Sequence, residues 1–293
     1  RRGSAVEGGS APAPPAFLTL RGGLGQLVSA LRGALRRTIV HVGARVVRLE
    51  RLRGADEMPD ARDATARRTA SVAPHPYRLE LADGASLTAD AVVLAVPARE
   101  SARLLADVAP ALARRLGALG TVSTANVSLG YRERDVAHPM AGFGFLVPRG
   151  EHRDVFACTW TSSKFAQRAP AGMRLLRVFV GGTGREALAL RDERDVVAGV
   201  RRELADIMGI TAEPVVTRVF RWLGGQPQYE VGHLTRVQEI DWLAQREPGL
   251  FLAGSALHGV AIADCVSDAR RCAAAASEFV AAQRGVRGVY PGG

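Results

Sequence analysis

The sequence predicts an α/β fold in which an α/β layer is interrupted by a mainly antiparallel β insertion. Strand and helix patterns alternate over residues 39–119 and again over residues 193–283. Between them, residues 122–180 contain successive strand patterns separated by proline and glycine. Alternating strands and helices are typical of a parallel sheet, whereas consecutive strands are typical of an antiparallel one, so we expect both kinds of sheet.

The first third of the chain is predicted to hold a tail, a helix, a strand region and a hairpin. Residues 1–16 are mostly Gly, Ser, Ala and Pro, which bury too little apolar surface to offset the entropy of ordering. Apolar residues at helical spacing predict a helix over residues 24–37. Asp83-Gly84 marks the turn of a hairpin. The predicted strands are residues 39–43, 45–51, 77–81 and 86–87.

An apolar strand over residues 89–97 is predicted to be buried on both faces, as in a parallel or mixed sheet, and Pro97 ends it. Residues 98–119 predict one helix or two. The strands predicted for the β insertion are residues 125–131, 144–147, 155–161 and 175–180.

The last third returns to alternating helices and strands. The predicted elements are a helix at 193–208, a strand at 214–222, a helix at 234–245, a short buried strand at 250–253 and an alanine-rich helix at 264–283. Asp264 is placed as the N-cap of this last helix, because a carboxylate satisfies free backbone N–H groups there.

Composition bounds the class of protein. With 293 residues, 47% of them hydrophobic, the chain can bury a substantial core. Its longest apolar run, residues 91–98, is far shorter than the ~20 residues of a membrane-spanning helix. The three cysteines are odd in number and widely spaced, which favours a reducing compartment, and we expect a cytoplasmic location.

The charge leaves the class of partner partly open. The net charge is +10, and Lys164 is the only lysine among the 39 basic residues, so the bias is compositional. An anionic partner or a peripheral membrane contact stays open. Aromatic residues make up only 5% of the chain and no nucleic-acid motif appears, so nucleic acid is not an expected partner.

The sharpest local motif is a strand, a glycine-containing loop and a helix start over residues 249–265. Glycines let a ligand approach the backbone, and the exposed N–H groups of a helix start favour an anion or a polarised ring edge. An ordinary βα turn has the same pattern, so both interpretations stay open. Ser255, His258 and Asp264 lie too close in sequence for the crossed geometry of a catalytic triad, and we interpret them as turn residues.

A second glycine motif, Gly182-x-Gly184-x-x-Ala187, nearly matches a dinucleotide fingerprint. The helical pattern after it settles only beyond Glu193, so no helix start clearly faces these glycines. We therefore favour a glycine-rich strand end. The sequence has no zinc-ligand spacing and no other metal motif, and it has neither a nucleophile elbow nor a P-loop lysine motif.

Five stretches together carry a family resemblance. They are Phe17-Leu-Thr-Leu-Arg-Gly-Gly23, Ala89-Asp-Ala-Val-Val-Leu-Ala-Val-Pro97, Gly142-Phe-Gly-Phe-Leu-Val-Pro148, Gln226-Pro-Gln-Tyr-Glu-Val-Gly-His233, and Gly249-Leu-Phe-Leu-Ala-Gly254 with Gly259-Val-Ala-Ile-Ala-Asp-Cys265. In this order they resemble the flavin-dependent protoporphyrinogen/coproporphyrinogen oxidases, the haem-pathway branch of the amine-oxidase-like flavoproteins. The resemblance covers about residues 17–283 and corresponds to the C-terminal two thirds of the family.

The resemblance implies part of an FAD-binding Rossmann-like flavoprotein domain with an inserted mixed or antiparallel β-sheet substrate domain. The implied division is a partial FAD-binding domain at 17–97, a substrate-binding domain at 98–224 and a C-terminal part of the FAD-binding domain at 225–285, with tails at 1–16 and 286–293. The family's N-terminal pyrophosphate-binding unit and the basic residue at the mouth of its substrate pocket have no counterpart here. We therefore expect a truncated chain that binds FAD poorly alone.

The resemblance also implies site residues. It places Val46 near the adenine of FAD, and Val260, Ala261 and Ile262 against the isoalloxazine ring. The family's usual Asn, Tyr and Pro around this loop are replaced in this chain, so contacts there are expected to differ. The replacements are Ser255, Leu257 and Ala263.

The implied substrate face is a flat apolar clamp suited to a tetrapyrrole. It consists of Phe143, Gly144, Leu146 and Phe179. No residue is singled out as a catalytic acid or base.

The implied reaction is the FAD- and oxygen-dependent oxidation of coproporphyrinogen III or protoporphyrinogen IX to the porphyrin in haem biosynthesis. A meso carbon of the porphyrinogen would lose hydride to flavin N5, and molecular oxygen would reoxidise the flavin. A partner enzyme of the haem pathway is compatible with this role. The sequence leaves open which porphyrinogen is preferred, the oligomeric state, and which arginines meet substrate carboxylates.

Other functions stay open at this level. Another flavin amine oxidase or a desaturase relative would share the fold. A flavin-less remnant that acts as a binding partner, or a basic module that binds an anionic surface, would need no cofactor.

Overall fold

The computed structural model describes residues 18–52, 77–165 and 167–288. The predicted tail at 1–16, Phe17 and the arginine-rich segment 53–76 lie outside the described residues, as do residues 289–293 of the second tail. The helices are α1 Gly25–Ala34, α2 Ala98–Leu104, α3 Pro110–Gly117, α4 Thr161–Lys164, α5 Glu186–Leu190, α6 Glu193–Met208, α7 His233–Ala244 and α8 Ile262–Gly288. The strands are β1 Val46–Arg51, β2 Tyr77–Leu81, β3 Ser86–Ala89, β4 Val92–Leu94, β5 Thr121–Arg132, β6 Gly144–Leu146, β7 Val155–Trp160, β8 Met173–Gly181, β9 Val216–Pro227 and β10 Leu250–Leu252.

Two small sheets form the α/β part of the molecule. Strands β1, β2 and β3 make an antiparallel sheet in that order, and the predicted hairpin turn at Asp83-Gly84 is confirmed. Strands β4 and β10 pair in parallel although they are far apart along the chain. Parallel pairing of β4 agrees with the apolar character of its sequence.

Two sequence predictions about this part are wrong. Residues 39–43 form no strand, and Ile39 is 82% exposed, because a β-branched pattern forms a strand only when a partner edge is available. The strand at 89–97 shortens to β4 and is buried on one face only. Val92 and Leu94 are buried, whereas Val93 is 46% exposed.

A five-stranded antiparallel sheet forms the predicted β insertion, with the order β6-β7-β8-β5-β9. Helix α6 covers one face, and Val196, Val200 and Leu204 of that helix are fully buried against it. The Asp192 carboxylate caps α6 by accepting from the Asp195 N–H at 2.9 Å. The opposite side of this sheet, which α6 does not cover, is called the open face below.

A second core holds the α/β part together. It is built from β1, β2, β4 and β10 with helices α2, α3 and α7. Helices α2 and α3, at residues 98–117, therefore pack with the α/β part rather than with the five-stranded sheet. Packing alone would draw the boundary near residue 120 instead of 98, and the division into domains stays a prediction.

Helix α1 is shorter than predicted, and none of its residues is buried. Its apolar stripe faces solvent among the described residues, with Val28 67% and Leu31 59% exposed. An amphipathic helix normally buries its apolar stripe, so this surface is suited to contact with further protein.

The glycine motif at 182–187 lies at a strand end, as favoured. Strand β8 belongs to the antiparallel sheet, and the helix after the motif, α5, has only five residues. The three cysteines are free thiols. Within the described ranges, no helix is both long enough and apolar enough to cross a membrane.

Candidate functional site

The loop between β10 and α8, residues 253–261, is called the C-terminal loop. Helix α8 begins at Ile262, so Asp264 lies in its first turn and is not its N-cap as predicted. The Asp264 carboxylate accepts from the Ala261 N–H at 3.2 Å, which is the reciprocal half of a capping box. Val260 and Ile262 are each 52% exposed. The loop therefore presents three adjacent residues, 260–262, to a ligand at a helix N-terminus.

The chemistry of this helix start favours a neutral ring edge over a phosphate. The first turn of a helix has free N–H groups and a positive dipole end. The Asp264 carboxylate in that turn already offsets part of the positive charge. A flat ring with partly negative oxygen and nitrogen atoms fits this environment, whereas an anion would meet the carboxylate.

Tyr229 and His233 hold the C-terminal loop in place. The Tyr229 hydroxyl donates to the Ser255 carbonyl at 2.7 Å and accepts from the Gly259 N–H at 3.0 Å. The buried His233 ring donates from Nε2 to the Leu257 carbonyl at 3.0 Å. The two rings stack, with centroids 3.7 Å apart and planes 14° from parallel. Burial raises the pKa of Tyr229, so its hydroxyl stays protonated and able to donate at neutral pH.

Tyr229→Phe is expected to loosen the C-terminal loop while keeping the ring stack. Two hydrogen bonds to loop backbone are lost, and we expect the free energy of unfolding to fall by about 1 kcal/mol because the hydroxyl is only partly buried. Hydrogen exchange measured by mass spectrometry tests this. We expect the backbone amides of residues 254–261 to exchange faster in the variant, and those of α6 to exchange at the same rate. Equal exchange of the loop in the variant and the parent chain would contradict this role for Tyr229.

A buried carboxylate anchors the same loop to α8 at two residues, Gly254 and His258. The Asp268 side chain is 3% exposed and accepts from the Gly254 N–H at 3.0 Å. Its Oδ1 atom lies 2.9 Å from His258 Nδ1 and 2.6 Å from Arg271 Nη2. His258 Nε2 lies 3.1 Å from Oδ2 of Asp241 on α7. This network joins the loop, α7 and α8.

The pKa of Asp268 is lowered in the folded chain. Burial acts to raise it, but the hydrogen bonds from Arg271 and the Gly254 N–H, with the His258 ring nearby, outweigh burial. Asp268 is therefore an ionised anchor at neutral pH. His258 belongs to a long-range network and is more than the turn residue that its sequence position suggests.

Val46 lies apart from the C-terminal loop, on β1. It is half-buried and packs against the second core, which also includes Leu257 of the loop. Its carbonyl accepts from Arg103 Nη2 at 3.1 Å, and the Val47 carbonyl accepts from Arg103 Nη1 at 2.8 Å. A nucleobase at Val46 would therefore contact the strand elsewhere than at this carbonyl.

The open face of the five-stranded sheet gathers aromatic and apolar side chains. Directly paired residues on neighbouring strands project to the same face. One such row crosses the whole sheet, and it contains two of the predicted substrate residues. The row is Leu146 on β6, Ala157 on β7, Phe179 on β8, Asn126 on β5 and Phe220 on β9. Phe220 is 55% and Leu146 81% exposed.

The other two predicted substrate residues are Gly144, at the start of β6, and Phe143, just before it. The Phe143 carbonyl accepts from the N–H of Trp160, a residue of the core under α6. Phe143 is 54% exposed. Gly144 pairs with Thr159, and a Cβ atom there would lie 2.0 Å from the Cys158 carbonyl oxygen, so the backbone contact with β7 already requires glycine. The structure thus brings Leu146 and Phe179 into one row of the open face and Gly144 into the adjacent row, whereas strand pairing does not place the Phe143 side chain on this face.

Strand β9 connects the open face to the C-terminal loop. It carries Phe220 and Trp222 on the open face and leads directly into the turn with Tyr229 and His233.

The chain matches a family model described as flavin containing amine oxidoreductase over residues 5–277. It belongs to that family.

Relatives of this flavin amine oxidoreductase chain include two curated coproporphyrinogen III oxidases. The protein from Bacillus subtilis is 34% identical over 255 residues, covering 87% of this chain and 49% of the relative. The protein from Propionibacterium freudenreichii is 38% identical over 265 residues, covering 89% of this chain and 45% of the relative. The resemblance to the porphyrinogen-oxidase branch is confirmed. The chain spans about half the length of the curated relatives it matches.

The predicted fold class is also confirmed. A solved structure from Exiguobacterium sp. 255-15, described as a protoporphyrinogen oxidase, superposes with a TM-score of 0.71 at 27% identity and covers 90% of this chain and 52% of that chain. The fold is that of the amine-oxidase-like flavoproteins. The site residues predicted from the sequence remain predictions.

Several residues of this site are not indicated by any local sequence pattern. The sequence marks residues 226–233 only through the family resemblance, and the contacts of Tyr229 and His233 with residues 255–259 depend on the fold. Asp268 carried no signal beyond its place in an alanine-rich helix. Arg177 on β8 and Arg218 on β9, which face the open side, cannot be distinguished by sequence from the other arginines of the chain.

Proposed function

We propose that this chain supplies the substrate-binding sheet and the C-terminal flavin loop of an FAD-dependent oxidase that converts coproporphyrinogen III or protoporphyrinogen IX to the porphyrin. One observation supports this proposal most. Strand β9 contributes aromatic side chains to the open face and leads into Tyr229, which holds the exposed C-terminal loop by two hydrogen bonds. Two comparisons support the chemistry proposed for this arrangement. The chain belongs to the flavin containing amine oxidoreductase family, and its relatives include coproporphyrinogen III oxidases.

The residues of the C-terminal loop fit a flavin ring. Residues 260–262 are exposed, Ala261 adds little bulk, and the start of α8 suits a neutral ring edge. Val260, Ala261 and Ile262 would hold the isoalloxazine, and Val46 would lie near the adenine. When bound, the flavin supplies the oxidant that accepts hydride from the porphyrinogen. Molecular oxygen is the proposed final acceptor.

The open face binds and orients the substrate in this proposal. Phe179 and Phe220 offer a flat apolar floor, and Leu146 lies at its β6 edge. A substrate contact by Phe143 stays a prediction. Aromatic rings exclude water from a tetrapyrrole and fix its plane. The paired positions of β5, β8 and β9 that face this side carry no Asp or Glu, so this floor positions the ring and offers it no carboxylate base.

The exposed apolar surfaces of the α/β part fit a longer protein. Helix α1 exposes Val28 and Leu31, and β4 exposes Val93 next to a parallel pair of only two described strands. Parallel sheets are normally larger and covered on both faces. We propose that the N-terminal part of the relatives, which holds the FAD pyrophosphate in this family, completes the site by packing there. A cytoplasmic location and a haem-pathway partner stay predictions.

A chimaera tests this function. The N-terminal part of the Bacillus subtilis relative, placed before residue 18 of this chain, is expected to copurify with FAD and to turn coproporphyrinogen III into fluorescent porphyrin. This chain alone, as the matched control, is expected to bind no flavin. A folded chimaera with bound FAD that oxidises neither porphyrinogen would contradict the proposal and favour another flavin oxidase activity.

A further inference from the structure

Two arginines lie in one row across the open face, on either side of β5. Ser128 on β5 pairs directly with Arg177 on β8 and with Arg218 on β9. Because paired residues project to the same face, both guanidinium groups rise on the open side. One strand separates them, so their Cα atoms are about 10 Å apart.

These two charges are not neutralised by the described part of the chain. Arg218 donates to the carbonyl of its neighbour Thr217 at 2.7 Å, and Arg177 has no ion pair among the described residues. Arg174, on the same strand but the opposite face, pairs with Glu133. Arg174 therefore has an ion-pair partner within the fold, whereas Arg177 and Arg218 are exposed to solvent.

The arginines adjoin the aromatic floor. The row of Phe179, Asn126 and Phe220 lies two residues further along the strands, a distance of about 7 Å. Guanidinium groups bind carboxylates through a planar fork of N–H donors. A flat apolar ring with carboxylates on one edge would therefore place the ring on the aromatic row and that edge at the arginines.

We propose that Arg177 and Arg218 bind the propionate carboxylates of the porphyrinogen and so fix which edge of the ring lies over β8 and β9. This assignment rests on the proposed function, and it selects two residues from an arginine-rich chain. It predicts that recognition depends on free carboxylates and falls with added salt.

Porphyrin binding to the full 293-residue chain tests the assignment. The probes are coproporphyrin III and its tetramethyl ester, which has the same ring without the charges, both in the same cosolvent. Binding is followed by porphyrin fluorescence. Each single variant, Arg177→Gln or Arg218→Gln, is expected to weaken binding of the acid by about fivefold, and the double variant by about 20-fold.

Three matched comparisons sharpen the result. Arg202→Gln, on the exposed side of α6 across the sheet, is expected to leave binding unchanged. The double lysine variant keeps the charge without the fork, and intermediate binding is expected. The ester should bind the parent chain as weakly as the acid binds the double Gln variant. Equal unfolding midpoints confirm that the variants are folded.

The outcomes separate this inference from the proposed function. If the double Gln variant binds the acid as tightly as the parent chain, the assignment is wrong, while oxidation by the chimaera still supports the function. If the acid and ester bind equally, or the parent chain binds neither, the assignment is also wrong. Loss of acid binding in the double variant, with a chimaera that oxidises no porphyrinogen, supports the arginines and rejects the oxidase.

Discussion

Replacing Asp268 with asparagine is expected to lower the free energy of unfolding by about 2 kcal/mol. The variant removes a buried charge that pairs with Arg271 and His258 and accepts from the Gly254 N–H. His258 and Arg271 are partly exposed and can be rehydrated, which keeps the cost below that of a fully buried pair. Urea denaturation followed by far-UV circular dichroism measures the change.

Asp241→Asn is the matched control, because Asp241 contacts the same histidine from α7 but is 36% exposed. We expect it to cost about 0.5 kcal/mol, as for an exposed ion pair. Equal losses in the two variants would show that burial of Asp268 adds nothing and that the anchor is an ordinary surface pair.

The lowered pKa of Asp268 gives the same anchor a pH dependence. A carboxylate whose pKa is lower in the folded chain contributes stability above its unfolded pKa, about 3.9, and this contribution is lost as pH falls through the folded pKa. The stability difference between the parent chain and Asp268→Asn should therefore be full at neutral pH and shrink below about pH 4. A difference that grows on acidification would reject this origin.

Periodicity predicted most of the fold because it reports local burial. The helix at 193–208 coincides with α6, and the strands of the five-stranded sheet fall where alternating or apolar runs were seen. The prediction failed where burial depends on distant partners. Residues 39–43 have strand-like composition without a described partner edge, and β4 has apolar residues on a side that the described chain leaves open.

The site could be predicted only in outline. A resemblance placed Phe179 and Leu146 near a ligand, but their common row depends on the register of three neighbouring strands, β6, β7 and β8. The alignment of Arg177 and Arg218 on either side of Ser128 depends on the register of β8, β5 and β9. Tyr229 and His233 reach loop atoms 24–30 residues away, and no local pattern encodes such contacts.

Gly144→Ala is expected to lower the free energy of unfolding by about 3 kcal/mol or more, the largest loss among these variants. Gly144 has φ +142°, a region that favours glycine, and its Cβ would lie 2.0 Å from the Cys158 carbonyl oxygen and 2.9 Å from the Thr159 Cα. Both contacts are with backbone, so β6 must move away from β7. Urea denaturation measures the loss.

Gly142→Ala separates backbone strain from the clash. Gly142 also has a positive φ, +130°, but the nearest atom to its Cβ is a Trp160 ring carbon at 3.4 Å. We expect it to lose about 1 kcal/mol, from strain alone. If Gly144→Ala instead matched Gly142→Ala in stability but weakened coproporphyrin binding, the glycine would be needed for ligand approach rather than for strand packing. The geometry favours packing, because β7 occupies the space into which a side chain at residue 144 would project.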